Sequence, residues 1–529
     1  MIAKFSTTGP GALLLALFLF INTLRGERKE WTILIYIAGD NSLTESADID
    51  LLELERGVYC DKINTIIEID RAYPSKETNT VVYIKNKDGL YKLKDLGELD
   101  TGDPDVLKNF ILWGVSSFPA KRYGLILWGH GKSWNKNVDL PFKFFANDFS
   151  SGNSIDVYNG ELRSAIPDSI FDFIIFDACM MGGIEVLSEL TGKTKWIIAS
   201  PSLVPVSGMP YDSLLAVFAN NYAENTEKIL IRITNVFLTS MENKQFPLSI
   251  SLYKEEELLA FLSELRDYFK LLSTFQDSLL LSARLHSFGY SMVNPNVMDS
   301  LSPYIDFFNF MENVGINDIT PDSVVYYHKA TGIYSNTSGV HIWFPLNFSV
   351  LTKEFFNYKR LLFEKKTFWS DVIMATHIDS AFSYYPESVD IKKEDTYIKI
   401  KWVPLAKSEN WLYSLIISEA NDGEFNILTP STQVKLNLFP GVYEVSVGLY
   451  NPVDGKLGRL SPPQSLFIGS EDLNIFPPII TEDMKYFLMN SFNIYDIAGR
   501  KIDKLDRTGF YIITKNRVTK KIFYIDKTK

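Results

Sequence analysis

Two stretches of this 529-residue chain are apolar with almost no alternation: residues 123–128 (YGLILW) and residues 171–176 (FDFIIF). A strand with one face in water alternates apolar and polar residues, so runs of this kind belong to parallel strands covered by helices on both faces. Each run leads directly into residues with chemistry, Gly129-His130-Gly131 after the first and Asp177-Ala178-Cys179 after the second. Open α/β sheets place their crevices at that carboxyl edge.

If the two strands are neighbours, their ends lie ~4.8 Å apart. The His130 imidazole then reaches the Cys179 thiol, takes its proton and leaves a thiolate able to attack a carbonyl carbon. The resulting imidazolium can protonate a leaving amine. Gly131 lets the backbone approach a substrate closely, and its amide and that of Cys179 are candidates for an oxyanion hole. A lone strand-end cysteine is more often a buried structural residue, so the catalytic reading depends on both strand ends falling together.

The surrounding pattern agrees with an α/β sheet. Apolar runs at 31–38 (WTILIYIA), 63–69 (INTIIEI), 81–85 (VVYIK) and 196–200 (WIIAS) alternate with helical spacing up to Arg56, over 104–117, near 159–166 and within MGGIEVLSEL. Asp40, Asn41 and Ser42 read as a helix cap, with Ser42 and Glu45 spaced as a capping box. Residues 211–280 read as mainly helical, and 324–345 hold two strands. From 383 to 469 short alternating strands recur with turn residues every ten or so positions, the spacing of a β-sandwich. The last stretch, 476–529, reads as a further small β-rich domain.

Composition narrows the function classes. The balance of 64 acidic against 53 basic residues, a net charge of -11, opposes a general polyanion binder. Neither a GxxxxGK[ST] loop nor HExxH occurs. Residues 1–26 carry Lys4, then GALLLALFLFI over 11–21, the layout of a signal peptide and too short for the ~20 residues of a spanning helix. The two cysteines, Cys60 and Cys179, fall at opposite edges of the sheet, ~20 Å apart against a limit of ~7 Å for a disulfide. His286, His328, His341 and His377 lack metal-ligand spacing and read as structural or surface residues, and no acidic run marks a metal site.

The blocks YGLILWGHGKSW and FDFIIFDACMMGGIEVLSEL resemble the clostripain family of cysteine peptidases, and so do AGDNSL, GDPDVLKNFILWGVSSFPAKRY, ASPSLVPVSGMPYD and SGVHIWFP, in family order over about residues 30–375. The resemblance implies a caspase-like, mostly parallel sheet flanked by helices over 27–380. It also implies a His130/Cys179 dyad, cleavage of protein or peptide substrates after Arg or Lys, and no cofactor, calcium entering by family analogy only. Asp177 matches the acid that helps receive a basic side chain. Relatives often carry a second acid before the proline matching Pro205, where this chain has Val204, and Asp212 is the candidate replacement. Self-cleavage in the segment between the dyad residues has Lys132, Lys136 and Lys143 as candidate positions. Residues 383–470 resemble a fibronectin type III or immunoglobulin-like sandwich. Residues 476–529 resemble a carboxyl-terminal sorting domain that would engage bacterial secretion machinery. The chain is thus expected at the cell surface or outside it. The competing expectation is an inactive adhesin or binding scaffold on the same fold.

Overall fold

The computed structural model describes residues 28–135, 145–394, 397–419, 423–436, 438, 441–452 and 455–468, with five strands between 479 and 524. It divides into two units, Met1–Thr376 and His377–Lys529. The expected leader, residues 1–26, lies outside the described residues.

The first unit is built on β1 (Lys29–Gly39), α1 (Thr44–Arg56), β2 (Ile63–Arg71), β3 (Val81–Asn86), β4 (Gly89–Asp95), α2 (Pro104–Ser117), β5 (Ala120–Trp128), α3 (Glu161–Ala165), β6 (Phe171–Asp177), α4 (Ile184–Glu189) and β7 (Thr194–Ala199). These are followed by α5 (Tyr211–Asn221), α6 (Thr226–Asn243), β8 (Ser249–Lys254), α7 (Glu255–Leu272), β9 (Tyr304–Asp306), β10 (Val325–Ala330) and β11 (His341–Trp343). Nine strands form one sheet in the order β10-β8-β7-β6-β5-β1-β2-β3-β4. Its centre, β7-β6-β5-β1-β2, is parallel, and the strands on either side run antiparallel.

The unalternating runs behave as their composition requires. Leu125, Ile126 and Leu127 of β5 and Phe173, Ile174, Ile175 and Phe176 of β6 are fully buried. A fully buried side chain of this type contributes about 1.5–3 kcal/mol, so the central strands are the most firmly placed elements of the unit. α2 starts at Pro104 with the Asp103 side chain accepting from the amide of Asp105, a capped start that the sequence announces.

Three expectations need correction. The second apolar strand, which from its sequence reads as running to Cys179, ends at Asp177, so Cys179 stands two residues beyond it. The segment 211–280, expected to be mainly helical, contains β8 between its helices. Ser42 does not cap a helix: α1 begins at Thr44 after Leu43 with no side-chain cap, and Asn41 Oδ1 instead accepts from the amide of Leu43.

The second unit contains β12 (Val389–Lys393), β13 (Ile398–Trp402), β14 (Leu412–Glu419), β15 (Gly423–Thr429), β16 (Gln433–Leu436), β17 (Gly441–Tyr450) and β18 (Gln464–Ile468). They form two antiparallel sheets, β12-β13-β16 and β15-β14-β17-β18. Trp402 of the first sheet meets Tyr413 of the second with ring centroids 5.4 Å apart. Alternate residues, Ile398, Ile400 and Trp402 on one side and Leu415, Ile417, Val445 and Val447 on the other, are buried, as two sheets sharing one core require. The five strands between 479 and 524 make a separate sheet.

Candidate active site

β5 and β6 are adjacent, parallel and in register, with Trp128 opposite Asp177. Gly129 continues the pairing by donating its amide to the Asp177 carbonyl at 3.3 Å. His130 and Cys179 therefore stand the same two residues beyond one aligned pair. The close approach of the two loops is possible because residue 131 is glycine: a Cβ there would lie 2.2 Å from the Cys179 carbonyl oxygen and 2.9 Å from its amide nitrogen. Both atoms are backbone, so nothing in the neighbourhood could yield.

Two contacts define the resting state of the pair. His130 Nε2 lies 2.9 Å from Ser42 Oγ, on the loop that follows β1. The Cys179 sulfur is clasped by the backbone of one residue, accepting from the Val204 amide at 3.2 Å and donating to the Val204 carbonyl at 3.4 Å. Burial pushes the thiol up to about 11, partly offset by the Val204 amide. Burial pushes His130 down to about 4, with the ammonium of Lys132 adding to the effect. At neutral pH the pair is a thiol and a neutral imidazole.

A second histidine holds the loops from beneath. His341, fully buried at the start of β11, has Nδ1 3.0 Å from the Pro201 carbonyl and Nε2 3.0 Å from Ser133 Oγ. A carbonyl only accepts, so Nδ1 carries the proton and Nε2 accepts from the serine. The His341 amide also donates to the Gly182 carbonyl at 3.2 Å. One side chain and its backbone thus join the histidine loop, the cysteine loop and the turn after β7.

Asp177 is buried at the end of β6, against the start of α5. Its Oδ2 accepts from the Met209 amide at 2.9 Å and the Tyr211 hydroxyl at 3.1 Å, while Oδ1 has no partner. Burial raises its carboxyl to about 6 against the lowering effect of those donors. Asp212, one residue further, is exposed, and its carboxylate accepts from the amide and hydroxyl of Ser213. The described hydrogen bonds do not join Asp212 to Asp177. Lys132 is 4% exposed, a poor position for a cut, whereas Lys136 and Lys143 lie outside the described residues. Cys60 and Cys179 are both free thiols.

Sequence reading missed one cluster. Asp40, Asp70, Glu98 and Asp148 each bring a carboxylate oxygen within 4.8 Å of the others. The four acids come from four separate segments, so no local spacing could reveal them. An all-oxygen set suits a hard cation. Much of its capacity is already engaged: Asp148 accepts from Thr101 and Ser151, and Asp40 from Ser150. Burial and the neighbouring acids push Asp70 up to about 8, so a bound proton relieves the repulsion at neutral pH.

A mostly parallel sheet flanked by helices, with histidine and cysteine beyond the ends of two adjacent central strands, is the architecture of the caspase-like α/β class. The clostripain family profile matches residues 35–380, and the chain belongs to that family. Clostripain of Hathewaya histolytica is 26% identical over 223 residues, 36% of this chain and 42% of that protein, so the match spans about two fifths of the relative's length. A secreted C11 cysteine protease of Bacteroides thetaiotaomicron, solved with an irreversible peptide inhibitor, shares the fold with a TM-score of 0.50 at 22% identity over 64% of this chain and 99% of that chain. An inactive zymogen C11 protease of Parabacteroides distasonis gives 0.52 at 23% identity over 65% and 99%.

Proposed function

We propose that the chain is a secreted cysteine endopeptidase that cleaves peptide bonds after Arg or Lys, with Cys179 as nucleophile and His130 as general base. The observation that carries this reading is the register of β5 and β6, which sets both residues two positions past Trp128 and Asp177. His130 takes the thiol proton as sulfur attacks the scissile carbonyl carbon, and the amides of Gly131 and Cys179 receive the oxyanion. The imidazolium then protonates the leaving amine as the carbon–nitrogen bond breaks, leaving a thioester. Water, deprotonated by the same imidazole, hydrolyses that thioester and restores the thiol.

Asp177, buried beside the nucleophile's strand with one unsatisfied oxygen, supports a cationic side chain before the scissile bond. Asp212 is held by its own helix start and contributes charge at the surface. Self-cleavage, if it follows the same specificity, falls on the segment carrying Lys136 and Lys143 rather than on buried Lys132. Calcium, raised by family analogy, would find Asp40, Asp70, Glu98 and Asp148 as oxygen ligands and would neutralise their charge, and no step passes through it.

Export accords with the apolar run at 11–21 and with a relative described as secreted. The sheets β12-β13-β16 and β15-β14-β17-β18 have a strand order that supports a fibronectin type III-like module over 383–470. The sorting role of 476–529 is tested by deleting that tail: loss of surface delivery supports it, and unaltered delivery sinks it. The peptidase reading is tested with peptides bearing Arg, Lys, Asp or a neutral residue before the scissile bond, on wild type and Cys179→Ala. Cleavage confined to wild type and to the basic peptides is expected. An inert wild-type protein would leave the binding-scaffold reading standing.

A further inference from the structure

α1 turns a stripe of Thr44, Ala47, Asp50 and Leu54 into the protein. Three of these suit a helix face packed on a sheet, and the carboxylate does not. Asp50 is fully buried, and an unpaired buried carboxylate is among the costliest groups a fold can contain. Its Oδ2 accepts from the indole Nε1 of Trp128 at 2.7 Å, and its Oδ1 has no partner. Trp128 is the strand residue paired with Asp177, so the hydrogen bond brings Asp50 to the carboxylate two residues from the nucleophile.

Gly208 shows how close the two carboxylates come. A Cβ at that position would lie 2.7 Å from Asp177 Oδ2 and 3.1 Å from Asp50 Oδ2, so a single point in space touches both. Each aspartate keeps one oxygen committed to neighbouring donors and one without a partner. Glu53, one turn along α1, adds a third carboxylate at the edge, where its Oε2 accepts from the Tyr211 amide at 2.9 Å. The cation that acts on both aspartates is Lys244, whose ammonium donates to Ser207 Oγ at 2.9 Å. The bonded Oδ2 atoms of both acids border Gly208, their Oδ1 atoms have no hydrogen-bond partner, and neither forms an ion pair with Lys244, so the two together offer negative charge to an incoming positive group.

We infer that Asp50 is the second carboxylate of the specificity pocket, receiving the guanidinium of an arginine before the scissile bond jointly with Asp177. The inference builds on the proposed basic specificity and assigns to a residue of α1 the acid that Val204 does not provide. A guanidinium offers five N–H donors in a planar fork and can span two separate acceptors, whereas a lysine ammonium is a point charge that one carboxylate can hold. Arginine is therefore favoured over lysine.

The test compares kcat/KM on matched peptides with Arg, Lys or citrulline before the scissile bond, for wild type and Asp50→Asn. Citrulline has the shape of arginine without the charge, so the Arg-to-citrulline ratio isolates recognition of charge from any general loss of structure. The ratio is expected to fall about 10- to 100-fold in the variant, the size of a charged hydrogen bond, with the fall larger for Arg than for Lys. An unchanged ratio in Asp50→Asn, with wild type preferring Arg, overturns the role of Asp50 alone. No preference for Arg over citrulline in wild type overturns the basic specificity and this inference together. Should Asp50→Asn fail to fold, Asp50→Glu asks the same question, because it keeps the charge and moves it by one methylene. A several-fold change in the Arg-to-Lys ratio supports the assignment, and an identical ratio overturns it.

Discussion

The hydroxyl of Ser42 lies 2.9 Å from Nε2 of His130, so the loop after β1 reaches across to a residue at the end of β5. The contact limits the rotation of the imidazole before any substrate arrives. Ser42→Ala is expected to lower kcat about fivefold with KM unchanged, the equivalent of one hydrogen bond of about 1 kcal/mol. Steady-state kinetics checks this, and Ser42→Thr should retain most of the rate. A wild-type kcat in Ser42→Ala would show that the bond has no part in positioning the base.

The neutral resting pair has its own signature. With the thiol pushed up to about 11 and the imidazole down to about 4, the thiolate fraction rises with pH throughout the intervening range. Alkylation of Cys179 by iodoacetamide, measured in a Cys60→Ser background, should therefore accelerate about tenfold per pH unit between roughly pH 7 and 9. A preformed thiolate–imidazolium pair would instead give a plateau already at about pH 6. The shape of the profile decides between them.

Gly131→Ala should push apart the loops that carry His130 and Cys179. The added Cβ would meet the Cys179 carbonyl oxygen at 2.2 Å, and backbone on both sides leaves only displacement of one loop. Loss of about 100-fold or more in kcat/KM is expected, comparable to losing an oxyanion donor. Far-ultraviolet circular dichroism should match wild type. Activity within threefold of wild type would mean that the loops have slack the structure does not suggest.

Asp50 also makes stability depend on pH. Burial pushes its carboxyl from 3.8 to about 8, with Asp177 and Glu53 adding to the rise and Trp128 and Lys244 opposing it. Because the folded value is raised, the protonated form favours the native state. That contribution is fully present below about pH 4 and is lost as pH rises toward 8. Asp50→Asn cannot ionise, so its melting temperature should match wild type below about pH 4 and exceed it by several degrees at pH 9. A constant difference across that range would mean that Asp50 does not titrate in the fold.

What could be read from residues alone follows the strength of the local pattern. β5, β6 and α2 were legible because unalternating apolar runs and an Asp-Pro helix start leave few alternatives. β4 was not, because only Gly89 of its seven residues is buried and no continuous apolar run marks it. β8 was hidden by its serines: Ser249 and Ser251 are buried in a strand only because His328 and the Gly339 carbonyl take their hydroxyls. The proximity of His130 and Cys179 could be expected from strand ends, but Ser42 has the sequence context of a cap, and only the fold redirects it to His130. Asp50 did leave a trace, a carboxylate on the apolar stripe of an amphipathic helix. Its partner Trp128 is 78 residues away, and no spacing rule connects the two.

The register between β5 and β6 has a consequence for any chain nicked in the segment 136–144. Such a cut would put β1 to β5 and His130 on one fragment, and β6 onward with Cys179 on the other. The two pieces would nevertheless share one sheet, paired from Gly124 opposite Phe173 to Trp128 opposite Asp177. Cys60 would stay with the first fragment and Cys179 with the second, both as free thiols. The product would be a non-covalent heterodimer with His130 and Cys179 meeting across the seam, indifferent to reductant and separable only by denaturing the sheet itself.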